Sequence, residues 1–153
     1  MIEDLIKKLE KEGKLAAQKA GFVQIEGLLK ESIVDLEEAK KILGIAQRAT
    51  YVMAYMAMLK AGRALLLLKG YRPTDGAQHK TVVEMTGAIL GNKYTDLVSH
   101  FETMRRKRNE LTYEAGALLS KSESENALKD AIELVRKILA ETKARNPQME
   151  LRF

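Results

Sequence analysis

Apolar side chains recur at steps of three and four residues along most of the chain, and this spacing constrains the fold more than any other feature. It is clearest between residues 24 and 43, where the apolar positions are Ile25, Leu28, Leu29, Ile33, Leu36, Ala39 and Leu43. Such steps place side chains on one face of an α-helix, whereas a half-buried strand alternates every second residue. That alternation does not recur in the sequence. The pattern therefore predicts an all-α fold.

Glycine and turn-forming residues divide this pattern into separate helices. We expect an accessory helix over about residues 2–19, helices over 24–43 and 45–69, a shorter one over 79–90, another over 94–119, and a last helix containing residues 128–142. Gly44 is typical of a helix C-terminus, and residues 70–76 form a turn cluster. Residues 121–124 are expected to supply an N-cap, and residues 146–153 a frayed tail. This order predicts an antiparallel, up-and-down bundle of four to five helices in a single domain over residues 1–153.

The composition fits a packed domain that does not depend on cysteine chemistry. A chain of 153 residues with 46% hydrophobic content can build one sizeable core. Cysteine is absent, which excludes disulfides and thiolate chemistry and fits a reducing cytoplasm. His79 and His100 are too few for a histidine-rich metal site, and no carboxylates show ligand spacing. We expect no metal and no cofactor, and the common nucleotide-loop, hydrolase and zinc-protease motifs are missing.

Neither the N-terminal segment nor the most apolar stretch of the sequence predicts contact with a membrane. Residues 1–20 alternate acids and lysines without a long apolar run, which is not typical of a secretory signal. The most apolar stretch, residues 49–68, is interrupted by Lys60 and Arg63 and is interpreted as a buried helix. We therefore expect a cytoplasmic protein with no membrane partner.

One cation interrupts the apolar face of the fifth predicted helix. That face carries Tyr94, Leu97, Phe101, Met104, Leu111, Ala115 and Leu118. The same steps place Arg108 between Met104 and Leu111. A guanidinium stays charged at physiological pH, and burying an unpaired charge is costly. Arg108 therefore requires a carboxylate from another helix, a wet interface or an anionic ligand.

Helical rotation brings further polar side chains beside Arg108. Each residue turns the helix by about 100°, which places Arg105, Asn109, Thr112 and Tyr113 within about 140° to one side of Arg108, with Arg106 at the far end of that arc. Guanidinium groups bind phosphate oxygens, an amide can contact a base edge, and a phenol can stack on a base. The set indicates a phosphate or RNA surface. An ordinary solvated charged face, with Arg108 paired to a carboxylate, is the alternative.

Other polar residues allow two interpretations each. Lys60 and Arg63, on the long apolar helix, either extend the anion site towards Arg108 or reach the surface at the bundle edge. His100 lies two turns before Arg108 on the opposite flank, and His79 lies near the start of a helix. We expect structural roles for both histidines. The formal net charge of +5 permits nucleic-acid binding without requiring it.

The segment YMAMLKAGRALLLLKGYRP (residues 55–73), the pair His79-Lys80, and Arg108-Asn109 followed by Tyr113 resemble a HEPN domain (higher eukaryotes and prokaryotes nucleotide-binding). The resemblance covers about residues 28–139. It implies a helical bundle, often a homodimer, in which many members cleave RNA without a metal through an Arg-x(4–6)-His motif at a cleft between two subunits. It also implies a prokaryotic toxin, or a partner of a minimal nucleotidyltransferase.

Carried over residue by residue, Arg108 matches the motif arginine and Asn109 the polar residue that often follows it. Tyr113 stands where the histidine is expected, and a phenol with an ordinary pKa of about 10 is a poor general base at neutral pH. These three are the candidate catalytic residues. The candidate RNA- or phosphate-binding residues are Arg105, Arg106, Lys60 and Arg63.

Three functions follow as hypotheses from the residues and the resemblance together. The first is an RNA-binding or RNA-cleaving component of a toxin-antitoxin-type module, with an atypical Arg-x4-Tyr motif. The second is a non-catalytic dimeric partner of a nucleotidyltransferase or an antitoxin. In some HEPN-linked systems a tyrosine near the motif receives a nucleotide, which makes Tyr113 a candidate substrate in this case. The third is a nucleotide-binding sensor.

Overall fold

The computed structural model describes residues 2–74 and 78–153, most of which are helical. The helices are α1 (Ile2–Lys11), α2 (Phe22–Ile42), α3 (Gln47–Leu68), α4 (Gln78–Leu90), α5 (Thr95–Tyr113) and α6 (Lys121–Arg145), and the strands are β1 (Leu15–Ala17) and β2 (Tyr71–Pro73). A short 3-10 turn, Asn92–Tyr94, precedes α5. The predicted all-α bundle is confirmed, and the bounds of α2, α3 and α4 agree with prediction within two residues.

Helix α3 is the centre of the bundle and packs against α2, α4, α5 and α6. Its apolar residues surround the helix, so neighbours cover it on several sides. The Ser32 hydroxyl of α2 donates to the Ala57 carbonyl at 2.7 Å, and the Ser124 hydroxyl of α6 donates to the Gln47 carbonyl at 2.9 Å. Helix α3 is long and apolar enough to span a membrane, but most of it is buried inside the protein.

Contacts at the helix ends establish the directions of α2, α3 and α6. Arg145, at the end of α6, donates to the carbonyl of Leu68, at the end of α3. Since the starts of α3 and α6 also meet, these two helices run in the same direction. Asn146 follows α6 and donates to the Glu26 carboxylate near the start of α2 at 3.0 Å. Helix α2 therefore runs antiparallel to α6.

A glycine allows α4 to approach α3 closely. A Cβ atom at Gly62 would lie 2.6 Å from Val82 Cγ1 and 3.0 Å from Thr86 Oγ1, both on α4. Any larger residue would therefore require the Val82 and Thr86 side chains or the two helices to shift. This approach brings the start of α4, with Gln78 and His79, against α3.

The predicted helix over residues 2–19 is wrong in its second half. Helix α1 ends at Lys11, and Gly13 adopts a φ of +73°, a left-handed conformation that glycine takes without steric cost. The chain then forms β1, which pairs antiparallel with β2. Tyr71–Pro73, expected in a turn, are the strand β2. Asp75 and Gly76, from the same predicted turn, lie outside the described residues.

The tail over residues 146–153 packs against the bundle, so the prediction of a frayed tail is wrong. Met149 is 4% exposed, and Leu151 and Phe153 pack against the core. The Lys40 ammonium lies 4.2 Å from the centre of the Phe153 ring. Burial of these apolar side chains holds the tail against the bundle.

Helix α5 ends at Tyr113, so it is shorter than the helix predicted over residues 94–119. Leu118 continues the apolar spacing but is 84% exposed, and Gly116 has a φ of +77°. The next helix has its own start signal, a capping box. The Ser120 hydroxyl accepts from the Glu123 backbone N–H, and the Glu123 carboxylate accepts from the Ser120 N–H. The N-cap thus lies one residue before the predicted segment.

Candidate functional site

Arg108 lies on the inward side of α5, between the buried Met104 and Leu111, and its side chain is half-buried. Its Nη1 donates to Asn109 Oδ1 at 3.3 Å. Its Nε is buried and has no acceptor among the described residues. Arg105, Arg106 and Lys107 on α5 form ion pairs with glutamates. No ion pair joins Arg108 to a carboxylate of a described residue. Within residues 2–74 and 78–153, the predicted alternative of a carboxylate partner is not found.

A second guanidinium reaches the same region from α3. Arg63 Nη2 donates to Gln78 Oε1, in the first described turn of α4, at 2.9 Å. The Arg63 Nε is buried and, like that of Arg108, has no acceptor in the part of the chain that the structure describes. Of the two predicted placements for Arg63, the structure has the one towards Arg108, since the charges of both arginines act on His79.

The third guanidinium, that of Arg105, is held by a carboxylate on the same helix. Arg105 donates from Nε to Glu102 Oε1 at 2.6 Å and from Nη2 to Glu102 Oε2 at 3.0 Å. The hydrogen bond from Arg105, together with the charges of Arg105 and Arg106, lowers the pKa of Glu102 below its ordinary value. Glu102 therefore stays ionised and compensates the charge of Arg105.

Tyr55 and His79 lie within the field of these three arginines. The Tyr55 hydroxyl is 2.8 Å from His79 Nδ1, and Tyr55 is fully buried. Burial lowers the pKa of His79 below its ordinary value, and the charges of Arg108, Arg63 and Arg105 lower it further. Burial also raises the pKa of Tyr55. Both side chains are therefore uncharged at neutral pH.

The buried hydroxyl determines which imidazole nitrogen carries the hydrogen. Among the described residues, the Tyr55 hydroxyl has one hydrogen-bond partner, His79 Nδ1. The hydroxyl hydrogen has no other acceptor there, so Tyr55 donates and Nδ1 accepts. In a neutral imidazole the hydrogen then resides on Nε2, which is an uncharged N–H donor.

We call Tyr55, Arg63, His79, Arg105 and Arg108 the arginine cluster. Its members come from α3, α4 and α5, so the cluster forms only when these helices pack. The structural role predicted for His79 is incomplete, because the ring also lies within this charged site. Tyr55 was not among the candidate site residues. A sequence signal existed, since Tyr55 and Arg63 are about two helical turns apart on one face of α3.

Two of the predicted phosphate-binding residues, Lys60 and Arg106, are not members of the arginine cluster. Lys60 Nζ is 2.8 Å from Asp35 and 3.7 Å from Glu31, both on α2, so its charge is compensated there. The Arg106 side chain is largely exposed and donates to Glu102 at 3.2 Å. Arg106 therefore lies at the solvent edge of the arginine cluster, whereas Lys60 faces α2.

The residues matched to the family motif are not all together. Arg108 and Asn109 are in contact through their side chains. Tyr113 is the last residue of α5 and is 78% exposed. Its hydroxyl makes no hydrogen bond to another described residue. The phenol thus points to solvent from the end of the helix, whereas the motif arginine is half-buried.

His100 joins α5 to α6 through a hydrogen bond to Asp130, in keeping with its predicted structural role. Lys107, further along α5, lies 3.8 Å from Glu123 at the start of α6. These two contacts show that α5 and α6 run antiparallel. Within the described residues, no group of three or more histidine, aspartate or glutamate side chains is arranged to hold a metal ion.

Fold and site together define an all-α bundle protein with guanidinium groups from two helices gathered around the buried Tyr55 and the half-buried His79. Comparison with protein-family models matches the HEPN domain over residues 25–143, from α2 almost to the end of α6. The chain therefore belongs to the HEPN domain family, and the resemblance seen in the sequence is confirmed. A search of curated proteins found no match. The whole arginine cluster lies within the matched residues.

Proposed function

We propose that this protein binds RNA or nucleotides by their phosphate groups at the arginine cluster. The observation that carries the proposal is that the guanidinium groups of Arg63 and Arg108 lack charged partners among the described residues. Each has a buried Nε without an acceptor, and neither forms an ion pair, among the described residues. Phosphate oxygens would supply both the missing acceptors and the missing negative charge. Membership of the HEPN family supports a nucleotide- or RNA-binding, or ribonuclease-like, domain.

Binding can be measured with purified protein and a fluorescent single-stranded RNA, in chelator and at several salt concentrations. We expect Arg108→Ala and Arg63→Ala each to raise Kd about tenfold. Each should also reduce the slope of log Kd against log salt by about one. Arg152→Ala is the matched control, because it removes one exposed charge outside the cluster. Unchanged binding by a folded Arg108→Ala protein would exclude the proposed site.

Metal-independent RNA cleavage is the finer form of this proposal. In that reaction a guanidinium stabilises the charge that develops on the phosphate, a role for which Arg108 is the candidate. Cleavage products that persist in chelator and disappear in Arg108→Ala would support it. Tyr113→His restores the histidine of the family motif and should cleave RNA at least as fast as the natural chain. Absence of cleavage by both proteins would leave binding as the function.

A second candidate function is suggested by the exposure of Tyr113. A phenol that is 78% exposed at a helix end is accessible to an enzyme. As partner of a nucleotidyltransferase, Tyr113 would attack the α-phosphate of a nucleoside triphosphate. The phenol proton would pass to a base of that enzyme, and pyrophosphate would leave. A nucleotidyltransferase in the adjacent reading frame, and a nucleotide-sized mass gain lost in Tyr113→Phe, would support this function.

We further propose that the protein acts in the cytoplasm as a homodimer within a toxin-antitoxin-type module. Exposed apolar side chains support an interface at one end of the bundle. Ile45 is 79% exposed and Leu118 is 84% exposed. Leu118 lines a groove together with Ala46, Val52 and Leu119. Such surface is typical of protein contacts. Light scattering after gel filtration should give a dimer mass, and Leu118→Glu should give a monomer.

A further inference from the structure

The arginine cluster has more positive charge than its carboxylates compensate. Glu102 accepts two hydrogen bonds from Arg105 and cancels that charge. Arg63 and Arg108 form no ion pair with the described residues. Glu84 on α4 acts on Arg105 only through space. Since His79 is neutral, two positive charges remain uncompensated among the residues that the structure describes.

The number of uncompensated charges distinguishes two kinds of phosphate. An internal phosphodiester of RNA carries one negative charge, whereas a phosphomonoester has a second pKa near 6 and carries close to two at pH 7. Two half-buried guanidinium groups are therefore balanced by a monoester and only half balanced by a diester. In a partly desolvated site this difference is larger than it would be in water.

The hydrogen-bond donors also match a terminal phosphate. Arg63 and Arg108 each have an unused buried Nε–H, which together with their Nη groups can form forked hydrogen bonds to oxygens. His79 adds an uncharged N–H, because Tyr55 occupies Nδ1. A monoester has three terminal oxygens to accept these bonds, whereas a diester has two.

We infer that the arginine cluster recognises a phosphomonoester, either the terminal phosphate of an RNA strand or that of a free mononucleotide. This inference rests on the proposed function and adds the substrate class. It predicts that binding depends on the end of the strand and not on the number of internal phosphates.

The test uses one oligoribonucleotide with an internal label in four forms: 5′-phosphate, 3′-phosphate, 5′-methylphosphate, and hydroxyl at both ends. We expect one of the two monoester forms to bind at least about tenfold more tightly than the hydroxyl form. The methylphosphate end is a diester with one charge and two free oxygens, so it should lose that advantage. Adenosine monophosphate should compete, and adenosine should not.

Substitutions test whether the tighter binding of the monoester RNA depends on the arginine cluster. Arg63→Ala and Arg108→Ala should remove the difference between phosphate and hydroxyl ends, whereas Arg152→Ala should retain it. Equal binding of all four RNAs would overturn the inference and leave the proposed function intact, provided Arg108→Ala weakens all of them. Failure of every RNA and of the mononucleotide to bind would overturn both. The methylphosphate comparison needs no variant and therefore remains decisive if a substitution prevents folding.

Discussion

The hydroxyl of Tyr55 and Nδ1 of His79 lie 2.8 Å apart and link the centre of α3 to the first described turn of α4. The two residues are separated by 24 positions in the sequence, and their bond forms only after α4 packs on α3. The bond also assigns the imidazole hydrogen to Nε2. This single contact therefore couples the packing of the bundle to the chemical form of the site.

Removal of the Tyr55 hydroxyl tests this coupling. Tyr55→Phe leaves Nδ1 without its donor, so we expect a loss of about 1 kcal/mol in the free energy of unfolding. The His79 ring should then populate both neutral tautomers, which ¹⁵N chemical shifts of the imidazole report. Tyr113→Phe removes an exposed phenol and should change neither quantity. A His79 spectrum unaltered by Tyr55→Phe would contradict the assigned hydrogen bond.

The pH dependence of stability should depend on His79. Its pKa is lowered in the folded protein from the ordinary 6.5, so the unfolded chain binds the proton more readily. The stabilising contribution is thus complete above pH 6.5 and is lost as pH falls through the lowered pKa. Between pH 7.5 and about 5, the natural protein should lose more thermal stability than His79→Gln. Glu102 acts at lower pH, because its pKa is lowered from 4.5. Parallel curves for the two proteins would argue against this role.

The arginines of the cluster should not contribute equally to phosphate binding. Arg105 already has its charge compensated by Glu102, whereas Arg108 has no such partner among the described residues. We expect Arg105→Ala to raise the Kd for RNA less than Arg108→Ala does, by a factor of about three or more. Circular dichroism should verify that both variants fold. Equal effects would show that Glu102 does not neutralise Arg105 in solution.

Gly62 offers a test of the approach of α4 to α3. Alanine normally stabilises a helix interior by about 1 kcal/mol relative to glycine. At Gly62, however, the added Cβ would lie 2.6 Å from Val82 Cγ1, and overpacking of a core costs about 1–3 kcal/mol. We therefore expect Gly62→Ala to lower Tm and to weaken RNA binding, because α4 carries His79.

Gly27 provides the matched control for that substitution. It lies within α2, and a Cβ built there meets nothing within 4 Å. Gly27→Ala should therefore raise the free energy of unfolding by about 0.5–1 kcal/mol. Urea unfolding of the two variants should give opposite signs. The same sign for both would indicate that the α3–α4 contact is looser than described.

The sequence predicted those parts of the fold that depend on local periodicity. Apolar spacing was sufficient for α2 and α3, because each buries a continuous set of side chains. The same criterion failed at Leu118, whose spacing continues the stripe although the helix has ended. It also failed at β1, since the pairing of three residues with β2 depends on distant backbone.

The candidate site was predictable only in part. The position of Arg108 in an apolar stripe was correct, since helical rotation alone determines it. The convergence of Arg63 with Arg108 and the bond between Tyr55 and His79 required the packing of three helices. Lys60 illustrates the limit, because its distance from Asp35 of 2.8 Å depends on how α2 faces α3. Spacing within one helix carries no information about such contacts.

The β1–β2 pair has a consequence for the region matched to the HEPN family. Strand β2 leads from α3 towards α4, and its partner β1 lies before residue 25, where the match begins. Gln18 also donates to the Gly70 carbonyl at 2.8 Å, and Thr74 donates to that of Gly13. Residues 13–18 thus hold the connection between α3, which bears Arg63, and α4, which bears His79. A fragment limited to residues 25–143 would keep every member of the arginine cluster. It would lose β1 and its pairing with β2, and with them the contacts that fix the connection between α3 and α4.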